Sequence, residues 1–375
     1  MVDKSMITFN RFMIYIFLCT LLFFFSCRSN DQHKENFKDY YSNMNQEFIA
    51  DKSLSINEIE LTLKNKNWTI TGKTNKKNIY NELADYADSM LYAFKVNFLP
   101  DSSLKDSIYG IVNVSVTPLR QEPQHSSQMV DQAIMGNHVK LYEKVGDWFL
   151  CQTEYDYVGW INKTSIIICD TTFFNMWKKN AIYRIKSLQS TVYSKPDILS
   201  IPVSDVVLNN IIHKIKDFNG WSQISLPDAR IGFISTKDII LDNHVTKDEN
   251  LNKKIAERAK SLIGTPYLWG GNSSKGSDCS GFTQTIFRSE GIQLPRDARQ
   301  QALLGNETNV ESSIPGDLFF FGDGIKITHV GISLGGMDFI HQGGKVAINS
   351  LDPKSNIYNN YRAESFMYAR RVTTF

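Results

Sequence analysis

The chain has 375 residues, long enough for several domains, with 42% hydrophobic and 21% charged residues, as in ordinary globular proteins. A net charge of +2 excludes a strongly charged partner, and no basic patch suggests nucleic acid. Five cysteines are too few and too scattered for a disulfide framework.

Lys4 and Arg11 precede the apolar run Phe12–Phe25, which is too short for a comfortable membrane span and suits a signal peptide over residues 1–26. The run ends Phe24-Phe25-Ser26-Cys27, a small residue before a cysteine, and so resembles a bacterial lipoprotein cleavage site, with Phe24 where the strict pattern has Leu. Cys27 is the expected lipidation site. The protein is then expected to be lipid-anchored in the bacterial cell envelope, on the periplasmic face or the cell surface. A plain secretory signal or an uncleaved anchor stays open. Cys19 leaves with the signal, and core burial is expected for Cys151 and Cys169, which lie in strand-like runs.

Residues 27–105 read as a short polar tether and then a mostly helical region. Leu83, Tyr86, Ala87, Met90, Leu91 and Phe94 recur at helical spacing, and Glu47–Ile59 predicts a second helix. Neither carries recognisable chemistry.

A repeat follows. Pro123, Trp148, Gly159, Ile161 and Ile166 recur as Pro196, Trp221, Gly232, Ile234 and Ile239, each 73 residues later (196 − 123 = 73). Gly146-Asp147-Trp148 and Asn219-Gly220-Trp221 are hairpin signals beside the strand-like runs Val139–Tyr142 and Ile211–Ile215. The repeat predicts two small β-barrels, at 106–170 and 171–243. Gly146-Asp147-Trp148 followed by Tyr157-Val158-Gly159-Trp160 resembles bacterial SH3-like domains.

The last segment, 244–375, opens with a helix carrying Leu251, Ile255, Ala259, Leu262 and Ile263 on one face. A second helix is predicted from Cys279, with Phe282, Ile286 and Phe287 as its apolar stripe and Gly291 as its stop. Cys279 would sit in the first turn, where free N–H groups and the helix dipole favour a thiolate. Short strands with hairpin turns then present His329 and His341. Nucleophile, base and orienter in that order fit Cys-His catalysis. Taken singly, Cys279 reads as well as a buried hydrophobe, and zinc is the other alternative. The three residues lack CxxC or HxxxH spacing, so neither metal nor cofactor is expected.

Gly264-Thr265-Pro266-Tyr267-Leu268-Trp269-Gly270-Gly271, Asp278-Cys279-Ser280-Gly281, Gly316-Asp317-Leu318, Thr328-His329-Val330-Gly331 and His341 together resemble the NlpC-type, papain-like cell-wall peptidases. The resemblance implies an α+β fold, with Cys279 as nucleophile, His329 as base, His341 as its orienter and the Tyr267 hydroxyl at the oxyanion. Two SH3-like modules before such a domain are similar to γ-D-glutamyl-L-diamino acid endopeptidases. That similarity implies a murein peptide substrate, L-Ala-γ-D-Glu-diamino acid, with a free L-Ala amine. The first barrel would roof the cleft. Asp278, Ser280, Trp269, Arg296 and Asp297 would stand at substrate-contact positions, with Ala298 where the family has serine. Tyr157 and Glu122 are the expected contacts from the first barrel. Without the resemblance, Tyr267 and Trp269 read as core packing and Arg296-Asp297 as an exposed ion pair. A monomer is expected. The alternative reading is a wall-remodelling enzyme acting on intact peptidoglycan, with the SH3-like modules as anchors. A catalytically dead wall-binding protein and an acyl transferase are further possibilities.

Overall fold

The computed structural model describes residues 31–64, 66–242 and 249–373. The expected signal segment, 1–26, and the expected lipidation site Cys27 lie outside the described residues. These form two compact units, one ending at Leu99 and the other beginning at Pro100. Among the described residues, no helix is long and apolar enough to cross a membrane.

The first unit departs from the helical expectation for 27–105. A helix over 31–48 and the helix Lys77–Ser89 are present, but Asn57–Lys64, Asn67–Thr74 and Ala93–Phe98 form a three-stranded sheet. Glu47–Ile59 is therefore not a helix. Ile59, Leu61 and Leu63 alternate with Glu60 and Thr62, the period of a strand rather than a helix, and the strand pairs antiparallel with Asn67–Thr74. The Leu83–Phe94 stripe also breaks. Its helix stops at Ser89, Leu91 takes a positive φ of 57°, and Phe94 belongs to the third strand, which runs parallel to the second. Ile70, Ile79, Leu83, Ala87 and Val96 form the core of this β-α-β unit.

In the second unit the 73-residue period becomes two sheets of identical topology. The first has seven strands in the order Ile166–Cys169, Tyr109–Val112, His138–Val145, Trp148–Thr153, Val158–Asn162, Val116–Arg120 and Met129–Ile134. The second repeats that order with Ile239–Leu241, Tyr183–Ile185, Ile211–Phe218, Trp221–Ser225, Ile231–Ser235, Gln189–Tyr193 and Pro202–Val207. Each sheet encloses its own core, around Val139, Leu141, Phe149 and Ile161 in the first and Ile185, Val192, Ile224 and Ile234 in the second. Cys151 and Cys169 are free and buried.

The last part pairs helices with an antiparallel sheet ordered Asn306–Thr308, Phe366–Arg371, Leu318–Gly322, Ile327–Gly335, Asp338–Gln342 and Val346–Ser350. The helix Cys279–Ser289 packs on Ile327–Gly335, its Phe282, Ile286 and Phe287 meeting Leu318, Val330 and Ile332 in one core. That packing brings the first turn of the helix against the strand that carries His329.

Candidate active site

The site is built where a helix starts and three strands run side by side. Asp278 is the N-cap of the Cys279–Ser289 helix and its Oδ1 accepts the Gly281 N–H at 2.8 Å, so Cys279 is the first helical residue. Gly281 must lack a side chain, because a Cβ there would stand 2.0 Å from the Gly271 carbonyl oxygen. This close approach ties the Gly270-Gly271 turn to the nucleophile's helix, and Gly270 N–H donates to Asp278 Oδ2 at 3.0 Å.

The histidines meet by strand register. Gly331 pairs with His341, so His329, two residues back on the same face, reaches diagonally over a position without a side chain. A Cβ on Gly331 would stand 3.1 Å from His341 Cβ. His329 Nε2 lies 2.7 Å from His341 Nδ1, and His341 Nε2 lies 2.8 Å from Asn349 Oδ1. Asn349 sits on the next strand by the same diagonal step, since His341 pairs with Ala347.

These bonds set the tautomers. Asn349 donates through Nδ2 to the Ile357 carbonyl and accepts from Asn359 Nδ2 at 3.2 Å, so its Oδ1 is an acceptor. His341 must then carry its proton on Nε2 and accept at Nδ1. His329 in turn donates from Nε2, which leaves the Nδ1 lone pair of the neutral ring as the free basic site.

Electrostatics keep every member of the group uncharged at rest. Burial pushes the Cys279 thiol up to about 11, aided by the Asp278 carboxylate, while hydrogen bonds from the Val330 and Ser280 backbone and the Arg296 charge pull it down. Burial holds His329 well below its ordinary range, with the Arg362 and His341 charges acting the same way. It lowers His341 to about 4 against the bond to Asn349. Burial, then the Cys279 and Asp278 charges, raise Tyr267 to about 12, so its phenol remains a hydrogen-bond donor. A neutral thiol beside a neutral imidazole reacts by giving up its proton as it attacks. Among the described residues, no cluster of His, Cys, Asp and Glu could hold a metal.

Residues 264–371 match the model of the NlpC/P60 family, and residues 119–166 match the bacterial dipeptidyl-peptidase SH3 domain. The probable endopeptidase NlpC of Escherichia coli is 36% identical over 135 residues, 35% of this chain and 82% of that protein. The chain belongs to the NlpC/P60 family. The family is one of cysteine peptidases. Dipeptidyl-peptidase 6 of Lysinibacillus sphaericus is 27% identical over 260 residues, 66% of this chain and 94% of that one. A γ-D-glutamyl-L-lysine dipeptidyl-peptidase of Bacillus cereus is 28% identical over 242 residues, covering 58% of this chain and 68% of its own. The crystal structure of an NlpC/P60 family protein from Bacillus cereus shares the fold, with a TM-score of 0.61, 22% identity, and coverage of 70% of this chain and 99% of that one.

Around Cys279, the candidate residues fall into three groups, with Glu122 apart from them. Arg296, Asp278 and Ser280 form a buried network. Arg296 is only 2% exposed, donates from Nη2 and Nη1 to Asp278 at 2.6 and 3.0 Å, and also reaches the Ser280 hydroxyl at 3.1 Å. The exposed ion pair that Arg296-Asp297 suggests without a motif is therefore not what forms. Asp278 differs too from the expectation of an open substrate carboxylate, because both oxygens are taken by Arg296 and backbone N–H groups. Asp297 and Tyr157 make a second group: the Asp297 carboxylate helps burial to raise the Tyr157 phenol, while its Oδ2 accepts from Arg299 Nη2 at 2.7 Å. Trp269 and Tyr267 stand 62% and 37% exposed, open rather than in the core. Glu122 is exposed; its backbone is tied to Ser127 and Gln124, and its side chain joins none of these hydrogen bonds.

Three contributors lay outside the sequence reading. Asp131 of the first barrel, fully buried, accepts from Arg296 Nε at 2.6 Å and from the Tyr155 hydroxyl at 2.6 Å. Burial raises its carboxyl to about 6 against the Arg296 charge and the Tyr155 bond. For Arg296 the balance is reversed. Burial opposes its charge, yet Asp278 and Asp131 together keep it protonated well above the usual range. Asn349 was legible in principle, since a hairpin turning at Gly343-Gly344 puts it on the histidine face. Arg362 had no local signal at all.

Proposed function

We propose that this NlpC/P60 peptidase cleaves the γ-D-Glu–diamino acid bond of murein peptides whose L-Ala amine is free. The observation that carries the reading is the bridge from the first barrel to the nucleophile's cap, Asp131 to Arg296 to Asp278, which brings Tyr157 under the influence of the Asp297 carboxylate beside Arg296. An acidic, hydroxyl-lined end to the cleft suits an ammonium. Two relatives bear names for dipeptidyl release, one of them from γ-D-glutamyl-L-lysine. Asp297, not the saturated Asp278, is the carboxylate for that amine. Its partner in the free protein is the half-exposed Arg299, and an acylated N-terminus brings no charge to take that partner's place, which is the basis of discrimination.

Cys279 Sγ attacks the γ-carbonyl of D-Glu as its proton passes to His329 Nδ1. The oxygen gains negative charge and meets the Tyr267 hydroxyl; loss of one such donor typically costs about 3–4 kcal/mol. His329 then returns the proton to the leaving amine, the carbon–nitrogen bond breaks, and a thioester remains. Water, deprotonated by the same imidazole, hydrolyses the thioester and regenerates the thiol. His341 and Asn349 hold the ring in the one tautomer that works.

The test is mass spectrometry of digests. Free L-Ala-γ-D-Glu-diaminopimelate should be cut and intact sacculi left alone; comparable products from both would replace this reading with wall remodelling. Cys279→Ala should fold, bind peptide and release nothing. Lipidation of Cys27 belongs to the same proposal, and Cys27→Ala should move the protein from the membrane to the soluble fraction.

A further inference from the structure

Two arginines flank the nucleophile and differ in what holds them. Arg296 lies between two carboxylates. Arg362, on the Asn360–Ser365 helix, is half-buried, and among the described residues its guanidinium has neither a carboxylate partner nor a hydrogen bond. It rests instead on two rings, 5.5 Å from the Phe321 centroid and 5.1 Å from that of Tyr361. Phe321 in turn packs on the His329 imidazole, centroids 5.6 Å apart.

Its backbone belongs to the catalytic chain of hydrogen bonds. Arg362 N–H donates to Asn359 Oδ1 at 3.1 Å, and Asn359 Nδ2 donates to the same Asn349 oxygen that receives the His341 proton. The cation is thus tied to the triad's supporting residue. Its charge depresses both imidazoles, and a thiolate at Cys279 would favour it. A cation beside a general base opposes proton abstraction unless an anion joins it. The described residues supply none there.

The chemistry says where such an anion would come from. His329 must protonate the leaving nitrogen, so the leaving residue has to lie within hydrogen-bond reach of that ring. The residue beyond the scissile bond therefore lies against His329, beside the face of Phe321 that Arg362 covers. A planar guanidinium fork fits a carboxylate. Resting on the proposed function, we infer that Arg362 is a specificity-determining residue that binds a free carboxylate of the leaving diamino acid. Two sources share this chemistry: the α-carboxylate of a peptide that ends there, and the side-chain carboxylate of diaminopimelate.

Four peptides separate them. L-Ala-γ-D-Glu is followed by L-Lys or by diaminopimelate, each ending as carboxylate or carboxamide, and kcat/KM is measured for wild type, Arg362→Gln and Arg362→Lys. If the α-carboxylate is the ligand, amidation lowers wild-type kcat/KM roughly tenfold or more on both peptides, as for one charge-assisted bond. If the side-chain carboxylate is, diaminopimelate is favoured over lysine by a similar factor and amidation matters little. In either case Arg362→Gln loses the preference and Arg362→Lys keeps part of it. Each preference is a ratio within one variant, so partial misfolding does not alter it. An Arg362→Gln enzyme that keeps the wild-type ratios but is slower on all four peptides overturns the inference. So does a wild type that cuts all four equally, which leaves the functional reading standing. A wild type that cuts none overturns that reading, and the inference with it.

Discussion

The two barrels share a strand order and a framework, yet only the first reaches the catalytic chemistry. Six of the seven strands in the second begin 73 residues after their counterparts, and the remaining one begins 74 later (183 − 109). What differs is a handful of side chains. Asp131 corresponds to Ser204, Gln132 to Asp205, Tyr155 to Asp228 and Tyr157 to Arg230 (each +73). In the first barrel Asp131 binds Arg296, Gln132 and Tyr155 hold Asn272, and Tyr157 feels the Asp297 carboxylate. In the second, Asp228 and Arg230 pair with each other at 2.6 Å and Asp205 pairs with Lys275 near the surface. The second barrel still grips the catalytic domain, through Asn209 on the Thr285 carbonyl and Arg184 on that of Arg288. Framework residues make a barrel; four positions decide whether it only braces the catalytic domain or reaches Arg296, beside the cap of Cys279.

The sharpest way to break that contrast is Arg296→Gln. It leaves Asp131 and Asp278 buried without a counter-charge, and stability should fall by about 3–5 kcal/mol in urea titrations. Asp131→Asn should cost far less, under about 1 kcal/mol, because Arg296 keeps Asp278 and burial already works against the Asp131 charge.

Acid titration tests the same groups with opposite signs. His341 is lowered from an unfolded value near 6.5 to about 4, so its contribution is present above 6.5 and is lost as pH falls toward 4, up to about 3 kcal/mol. Asp131 is raised from 3.8 to about 6, so its contribution is present below 3.8 and is lost as pH rises through 6. The two oppose each other between pH 6 and 4. Asp131→Asn should therefore lose stability more steeply on acidification than wild type, whereas His341→Asn should flatten the curve; parallel curves for all three proteins would contradict these assignments.

Smaller effects separate the barrels directly. Tyr157→Phe should lower kcat/KM roughly tenfold on peptides with a free amine, the worth of one hydrogen bond to a charged group. Arg230→Ala, at the matching position of the second barrel, should leave it unchanged. Equal losses would mean that the barrels act alike. Smallest of all, Asp205→Asn should change stability by no more than about 1 kcal/mol, since its pair with Lys275 is partly exposed.

Much of this was legible locally. Cys279 at a helix start, two histidines on hairpin strands and the exact period of the repeat are short-range patterns, and each lies where its pattern predicts. The helical reading of Glu47–Ile59 fails at its end, because Ile59 opens a run with Leu61 and Leu63 that alternates by twos. Asp278 departs from its expectation for a different reason. Its neighbours in sequence say nothing of Arg296, which saturates it from 18 residues away.

By itself, then, the sequence determined the family, the doubled barrel and the placing of Cys279 at a helix start with two histidines on hairpin strands, because helix starts, strand alternation and a fixed period are written within a few residues of one another. Only the tertiary structure decided that Arg296 is buried between Asp131 and Asp278, that Asn349 sets the tautomers, and that Arg362 stands near His329 without an anion among the described residues. Those depend on charges brought together across 8 to 165 residues and stripped of water, and neither proximity nor desolvation can be read along a chain.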